Sequence, residues 1–289
     1  MKIKDISPNK SLSDHIKCFR ILHIIPTKDI PSFAKFYVPK PEMVLHSIVK
    51  GIHYIKPSIE SSDKLNYGCF VSGQHTQPFI FSNNGELFNF QIVFKPTAFY
   101  KLTGIPASEL ANKFTDAHLI FGNPIKSYVE QLANAQSSEG MVKAGETFII
   151  QLISKAAFSG LKIDELFKNR LLDLRNIAVS KLAKENNRCE KQFKRNFIDI
   201  IGVNPKMYLN ISRFHRAYNI KNANPHWDWL RIAVESGYYD YQHLAKEYLF
   251  FTNHTPVQYH QQIEPNSPEM LLGVAKQIYD HRYKELAFL

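Results

Sequence analysis

One pattern occurs twice between about Asn176 and Tyr259, and it constrains the fold more than any other feature of the chain. The first copy runs from Leu182-Ala183 through Phe193, Lys194, Arg195 and Phe197 to Gly202, Pro205 and Tyr208. The second runs from Ile232-Ala233 through Leu244, Ala245, Lys246 and Tyr248 to Asn253, Pro256 and Tyr259. From Phe193 onward the matching positions are offset by 51 residues, and the leading pair by 50. The second copy therefore carries one extra residue in its turn. Repetition of this kind implies one supersecondary unit used twice.

Each copy reads as a helix, a tight turn and a second helix. In copy one, Ile177, Ala178 and Leu182 share a helical face. Asn186-Asn187 then breaks the pattern, because Asn tolerates the left-handed backbone of a tight turn. Glu190 to Ile201 resumes it with Phe193, Phe197 and Ile200/Ile201 inward. In copy two, Leu230, Ala233 and Val234 are expected to face inward, Gly237 supplies the turn, and Asp240 is positioned to cap the next helix. Leu244, Tyr248 and Phe251 are that helix's expected buried side. Pro205 starts a long connecting helix on which Tyr208, Ile211, Phe214/His215 and Tyr218 recur at helical spacing.

These residues resemble the paired helix-turn-helix DNA-binding domain of AraC/XylS-type transcription regulators. The motifs are Phe197-x4-Gly202-x2-Pro205-x2-Tyr208-x4-Arg213-x3-Ala217, Ile232-Ala233-x3-Gly237-Tyr238-x-Asp240-x2-His243-Leu244-x-Lys246-x-Tyr248, and Thr255-Pro256-x2-Tyr259. Four positions depart from the family's pattern. Asn253 stands where Gly is usual, Leu244 and Tyr248 replace a Phe pair, and Leu249 stands where Lys or Arg often follows. These departures weaken the second unit's phosphate contacts more than its fold.

The chain has 289 residues, enough for two or more domains and a substantial core. Its net charge is +10, which favours a polyanionic partner without choosing between nucleic acid and membrane surface. Met1-Lys2-Ile3-Lys4-Asp5 leads into no apolar run, so no secretory leader is expected. No stretch reaches the ~18 apolar residues of a spanning helix, so no membrane partner is expected. Cys18, Cys69 and Cys189 are odd in number and far apart, which fits free thiols in a reducing cytoplasm.

Residues 1 to about 95 read as strands over Cys18–Ile25, Phe33–Val38, Met43–Val49, Tyr67–Ser72 and Leu87–Phe94. Turn clusters at Pro26-Thr27, Pro39-Lys40-Pro41, Ser61-Ser62-Asp63 and Asn83-Asn84-Gly85 separate them, which suggests a small antiparallel sheet or barrel. Helices are expected over Thr97–Leu102, Ser108–Phe114, Pro124–Ala135 and Met141–Ala157. Leu45, Gly73, Thr76, Phe94-Lys95-Pro96, Leu102-x-Gly104 and Glu109-Leu110 are similar to the uncharacterised sensor-like region that precedes this kind of DNA-binding domain. The fold class is therefore α+β: a β-rich N-terminal sheet or barrel with following helices, then an all-α C-terminal domain. Domains are expected at 1–158, with its helical part from about 96, and at 159–264, with Leu166, Phe167, Leu171 and Leu174 packing at the front of the DNA-binding unit. Residues 265–289 are expected to form a further element, with one amphipathic helix over Met270–Phe288.

A recognition helix presents three or four side chains to base edges. In copy one these are Lys191, Lys194 and Arg195, flanked by Gln192 and Asn196, and Arg matches guanine O6 and N7. In copy two they are Tyr241, Gln242, Ala245 and Lys246, with Gln242 suited to adenine and Ala245 to a thymine methyl. The plain alternative is a set of solvated surface residues. His243 reads as helix packing, and Gly202, Pro205, Pro256 and Tyr259 as structural. No Cys-x2-Cys, His-x3-His or His-Glu-x2-His occurs, so no metal is expected. His46 and His53, seven apart on a strand and turn, are expected not to face together. No Gly-x-Ser-x-Gly elbow, P-loop, dinucleotide fingerprint or acid/base carboxylate pair is present, so neither cofactor nor catalytic residue is assigned.

The resemblance implies a sequence-specific regulator of transcription in the cytoplasm, not an enzyme. Its partners would be double-stranded DNA, a small-molecule effector at residues left unassigned, RNA polymerase and a second copy in a homodimer. Two alternatives stay open: a small-molecule enzyme in the N-terminal half carrying a helix-turn-helix tail, and an architectural DNA binder with little sequence preference. A DNA-repair methyl-transfer protein with such a tail would need a reactive Cys cluster, which the sequence lacks.

Overall fold

The computed structural model describes residues 1–28, 30–58, 60–61, 64–169 and 179–287. Its first part is a sheet of seven strands, all paired antiparallel: β1 Lys2–Ile6, β2 Ile16–Ile24, β3 Ser32–Tyr37, β4 Met43–Lys56, β5 Cys69–Ser72, β6 Phe79–Phe94 and β7 Phe114–Asp116. The order is β1-β2-β6-β4-β5-β7, with β3 also paired to β6. β6 organises the sheet because one of its edges serves two partners. Residues 79–84 pair with β3 and residues 87–94 with β2, while β4 runs along the other edge.

Asn83-Asn84-Gly85, expected to be a turn, lies inside β6 and marks this change of partner. Gly85 takes a positive φ of 84° there without ending the strand. β4 continues past the expected Val49 through register shifts near Lys50. Gly51 has φ 92°, and a Cβ at that position would lie 2.0 Å from the Glu86 carbonyl oxygen. β1 and β7 were not expected from the sequence. Ser108–Phe114 is not a helix: a 3-10 turn spans Ala107–Leu110 and the chain then joins the sheet as β7. Gly73 is required at this junction, since its Cβ would lie 1.9 Å from the Leu110 carbonyl oxygen.

Period-two alternation gives the sheet two buried faces. Phe19, Leu45, Phe90, Ile92 and Phe94 pack against α1 (Ala98–Thr103), α2 (Ala117–Phe121), α3 (Asn123–Asn134) and α4 (Ser138–Ser154) through Phe99, Phe121, Tyr128 and Phe148. Gly145 on α4 lets that helix sit against the sheet, because a Cβ would meet the Phe19 ring at 2.7 Å. On the opposite face Leu22, Phe33, Ile55, Phe70, Phe81 and Phe114 form a second cluster. Burying each such side chain contributes about 1.5–3 kcal/mol.

The second part is helical: α5 Asp164–Asn169, α6 Val179–Glu185, α7 Glu190–Ile201, α8 Pro205–Ala223, α9 Trp229–Ser236, α10 Tyr241–Thr252 and α11 Pro256–Gln258. The repeat is a structural one. Leu182, Ala183, Phe193, Phe197, Ile200 and Tyr208 form one core. Their counterparts Ile232, Ala233, Leu244, Tyr248, Phe251 and Tyr259 form another. Ile177, Ala178, Leu171 and Leu174 lie outside the described residues, whereas Leu166 and Phe167 join the first core.

Both turns use a left-handed residue, Asn187 at φ 53° and Gly237 at φ 87°. The chain then returns to the first helix by Arg188 N to Ala183 O (3.0 Å) and by Tyr238 N to Ala233 O (2.9 Å). From there Cys189 directly takes the N-cap position of α7, but Tyr239 intervenes before the capping Asp240. Tyr239 is thus the second copy's extra residue, and it is 92% exposed.

Two further expectations are corrected. Leu230 and Val234 are exposed, and α9 buries Ile232, Ala233 and Ser236 instead. Ser236 can lie inside because its hydroxyl donates to the Ile232 carbonyl at 2.6 Å. A count of apolar residues alone misplaces that face. Where one helix was expected over Met270–Phe288, the chain forms two, α12 Pro268–Leu271 and α13 Ala275–Ala287, broken at Gly273 with φ 66°.

Candidate nucleic-acid interface

α7 divides cleanly. Phe193, Phe197, Ile200 and Ile201 are buried, and Lys191, Gln192, Lys194 and Arg195 are exposed. Lys194 pairs with Glu190 one turn earlier, both about half exposed. Such a surface pair is worth little. Asn196 is half-buried beside the Arg188 guanidinium, and with its amide turned to put the oxygen toward that donor it is tied to the turn.

α10 repeats the division. Leu244, Tyr248 and Phe251 are buried, Gln242 and Lys246 exposed, and Tyr241 and Ala245 half-buried. Asp240 caps the helix by accepting from His243 N at 2.7 Å. Asn253 ends it in the left-handed region at φ 59°, a conformation Asn tolerates in place of Gly. His243 stands edge-on to Tyr238 at 5.2 Å and 3.3 Å from Arg213, so it serves packing between helices.

The sequence motif contained Arg213 without revealing its role. Its guanidinium pairs with the Glu247 carboxylate and lies 4.6 Å from the Tyr238 ring centre, while the Tyr238 hydroxyl donates to Glu247 at 2.7 Å. This group fixes α8 against α10. Burial acts to lower the Arg213 pKa, but the Glu247 carboxylate outweighs it, so the guanidinium stays charged.

α8 joins the two cores. Tyr208 belongs to the first, and Ile211, Phe214, Ala217 and Tyr218 to the second. Asn204 caps it by accepting from Met207 N at 2.9 Å. Its 19 residues give a rod about 28 Å long, comparable to the ~34 Å between successive major-groove segments on one side of a duplex.

The helical part touches the N-terminal part at both of its units. At the first, Gly202 ends α7 at φ 97°, and its Cβ would stand 3.1 Å from the Ala107 carbonyl oxygen. Nearby, Asp164 accepts from Thr97 (2.5 Å) and pairs with Lys101 (3.1 Å). At the second, Phe36 meets the Tyr259 ring edge-on at 5.8 Å, Val38 enters the core, and buried Lys35 pairs with buried Glu269 of α12.

That last pair stands in the wall of a cavity of about 80 Å³, on the sheet face opposite α1–α4. Arg20 in the same wall is held by Asp5 (2.7 Å) and Glu42 (3.2 Å). Burial acts to raise the Glu42 pKa, but Lys17 and Arg20 hold its carboxyl well below the usual range. Desolvation lowers His46 to about 3 and His75 to about 4, so both are neutral at pH 7. Contrary to expectation, His46 and His53 do face together. Both rings stack on Phe70, at 4.5 and 5.4 Å, because the bulges in β4 shift its register by one residue between them. Among the described residues no group of three or more His, Cys, Asp or Glu is placed to hold a metal ion, and no helix is long and apolar enough to cross a membrane.

Residues 4–116, essentially the whole sheet from β1 to β7, match a family described as a domain of unknown function (DUF6597). No curated protein matches the chain. Among solved structures, ToxT from Vibrio cholerae O395 aligns over 85% of this chain and 97% of its own at 13% identity, with a TM-score of 0.42. The same protein bound to (E)-4-(8-methylnaphthalen-1-yl)but-3-enoic acid aligns over 90% and 98% at 11% identity, with a TM-score of 0.43. The AraC-like transcriptional activator CuxR aligns over 69% and 77% at 14% identity, with a TM-score of 0.28. Likenesses this remote bear on neither ligand nor function.

Proposed function

We propose that the chain is a sequence-specific, double-stranded-DNA-binding regulator of transcription of the AraC/XylS type. The observation that carries this reading is the repeat itself. Two units built on equivalent buried positions each turn one helix's polar face outward, and a single rod joins them. In this reading α7 reads bases through Lys191, Lys194 and Arg195, with Gln192 and Asn196 beside them. α10 reads through Tyr241, Gln242, Ala245 and Lys246. Residues 159–264 form the DNA-binding domain, and residues 1–158 sense a small molecule, mediate pairing of two copies, or both. Recruitment of RNA polymerase belongs to the same reading.

Binding to duplex DNA, titrated with salt, tests it. Each neutralised phosphate releases counterion, so about six contacts should lower affinity roughly 10³-fold between 50 and 200 mM salt. Absence of binding, or a flat salt response, would rule the reading out in favour of a non-nucleic-acid partner.

A further inference from the structure

The cavity beside β3 contains polar atoms that the protein leaves over. Asn89 is fully buried and lines the cavity. Its amide nitrogen donates to His46 Nδ1 at 3.2 Å, while its Oδ1 has no partner. A neutral imidazole has one donor and one acceptor. With Nδ1 accepting, His46 carries its proton on Nε2 and donates to Ser72 Oγ at 3.1 Å. The Ser72 hydroxyl proton is thereby released to point elsewhere, and Ser72 also lines the cavity. His75 Nε2 is likewise buried and unpartnered, with its ring between Phe79 (4.8 Å) and Phe114 (4.6 Å). Leaving such atoms unsatisfied costs about 1–3 kcal/mol each, so a built site that meets them is the economical account.

The charges of the wall point to the ligand's class. Arg20 is neutralised by Asp5 and Glu42, and Lys35 by Glu269, so an anion meeting either of these two cations would have to break a buried pair. Lys40 lies with its ammonium 5.5 Å from the Tyr37 ring centre. The rest of the wall is mostly apolar: Phe70, Phe79, Phe81 and Phe114 supply aromatic faces, and Ile3, Leu22, Val38 and Val44 aliphatic ones. We propose that this cavity binds a small, uncharged, planar ring that accepts a hydrogen bond from Ser72 and donates one to Asn89. The proposal rests on the sensing role given above to residues 1–158 and supplies its ligand class. The cavity's 80 Å³ is about half of the roughly 150 Å³ that holds benzene in an engineered protein core. A ring therefore needs the wall, which includes Lys35 of β3 and Glu269 of α12, to give way.

Calorimetric titration of the full-length chain with 4-pyridone, whose N–H and C=O lie at opposite ends of an uncharged ring, tests the assignment. Benzoate serves as the anionic ring of similar size. Saturable one-to-one binding of 4-pyridone is expected, with at least tenfold weaker binding by Ser72→Ala and by Asn89→Leu, and no saturable heat from benzoate. Ser72→Ala carries the test if Asn89→Leu does not fold. Failure of 4-pyridone to saturate, benzoate binding as tightly, or unchanged affinity in Ser72→Ala would each overturn the proposal. Binding to duplex DNA by a chain that ignores 4-pyridone would sink the ligand class while leaving the DNA reading intact.

Discussion

Arg195 stands on the exposed side of α7, with Phe193 and Phe197 buried behind it. An arginine that reads guanine discriminates between sequences, whereas one that meets only phosphate does not. Arg195→Ala is therefore expected to cost about 1–3 kcal/mol on the preferred site and little on a scrambled duplex at the same salt. Equal losses on both duplexes would mean that Arg195 only holds the backbone. The exposed stripe was legible in the sequence because helical period and the buried Phe residues fix which way the others point. Asn196 was less legible: its tie to Arg188 depends on how the turn folds back. His46 and His53 were misjudged because strand parity assumes an unbroken register, and bulges in β4 change it.

Among the elements, α7 and α10 begin differently. Cys189 has the extended backbone of an N-cap, φ −70° and ψ 155°, but makes no side-chain cap bond, whereas Asp240 does. Cys189→Ser supplies the missing acceptor to α7 and is expected to add about 1 kcal/mol of stability. A higher urea midpoint with unchanged m-value is the signature. An unchanged or lower midpoint would show that α7's first turn is already satisfied.

α7 was readable to the residue because a turn, the terminating Gly202 and a strong apolar period coincide there. The long C-terminal helix was misread because apolar spacing alone does not register the left-handed Gly273. β6 was shortened for the converse reason. Asn83-Asn84-Gly85 has turn chemistry, but pairing on both edges holds the strand through it. β7 depends on β5, more than forty residues earlier, which no local pattern names.

At the scale of the whole molecule, the N-terminal part grips both helix-turn-helix units. Lys35 and Glu269 are 234 residues apart and both nearly inaccessible. No sequence spacing could have paired them. Burial alone would lower the Lys35 pKa, yet the Glu269 carboxylate raises it overall, so the ammonium stays charged. Glu269→Gln leaves that charge without its counter-ion and is expected to cost about 3–5 kcal/mol. The double change Lys35→Met with Glu269→Leu should recover most of the loss in a denaturant titration. A loss below ~1 kcal/mol for Glu269→Gln would mean that the pair is solvated in solution and does not tie α12 to β3.

The central claim, that two helices of one chain read DNA together, is tested most directly by selecting bound sites from random duplex DNA with the full-length chain at physiological salt. The expected result is an enriched site with two conserved segments about one helical turn apart, of which Arg195→Ala relaxes only the one read by α7. A single conserved segment, or no enrichment over the starting pool, would contradict it.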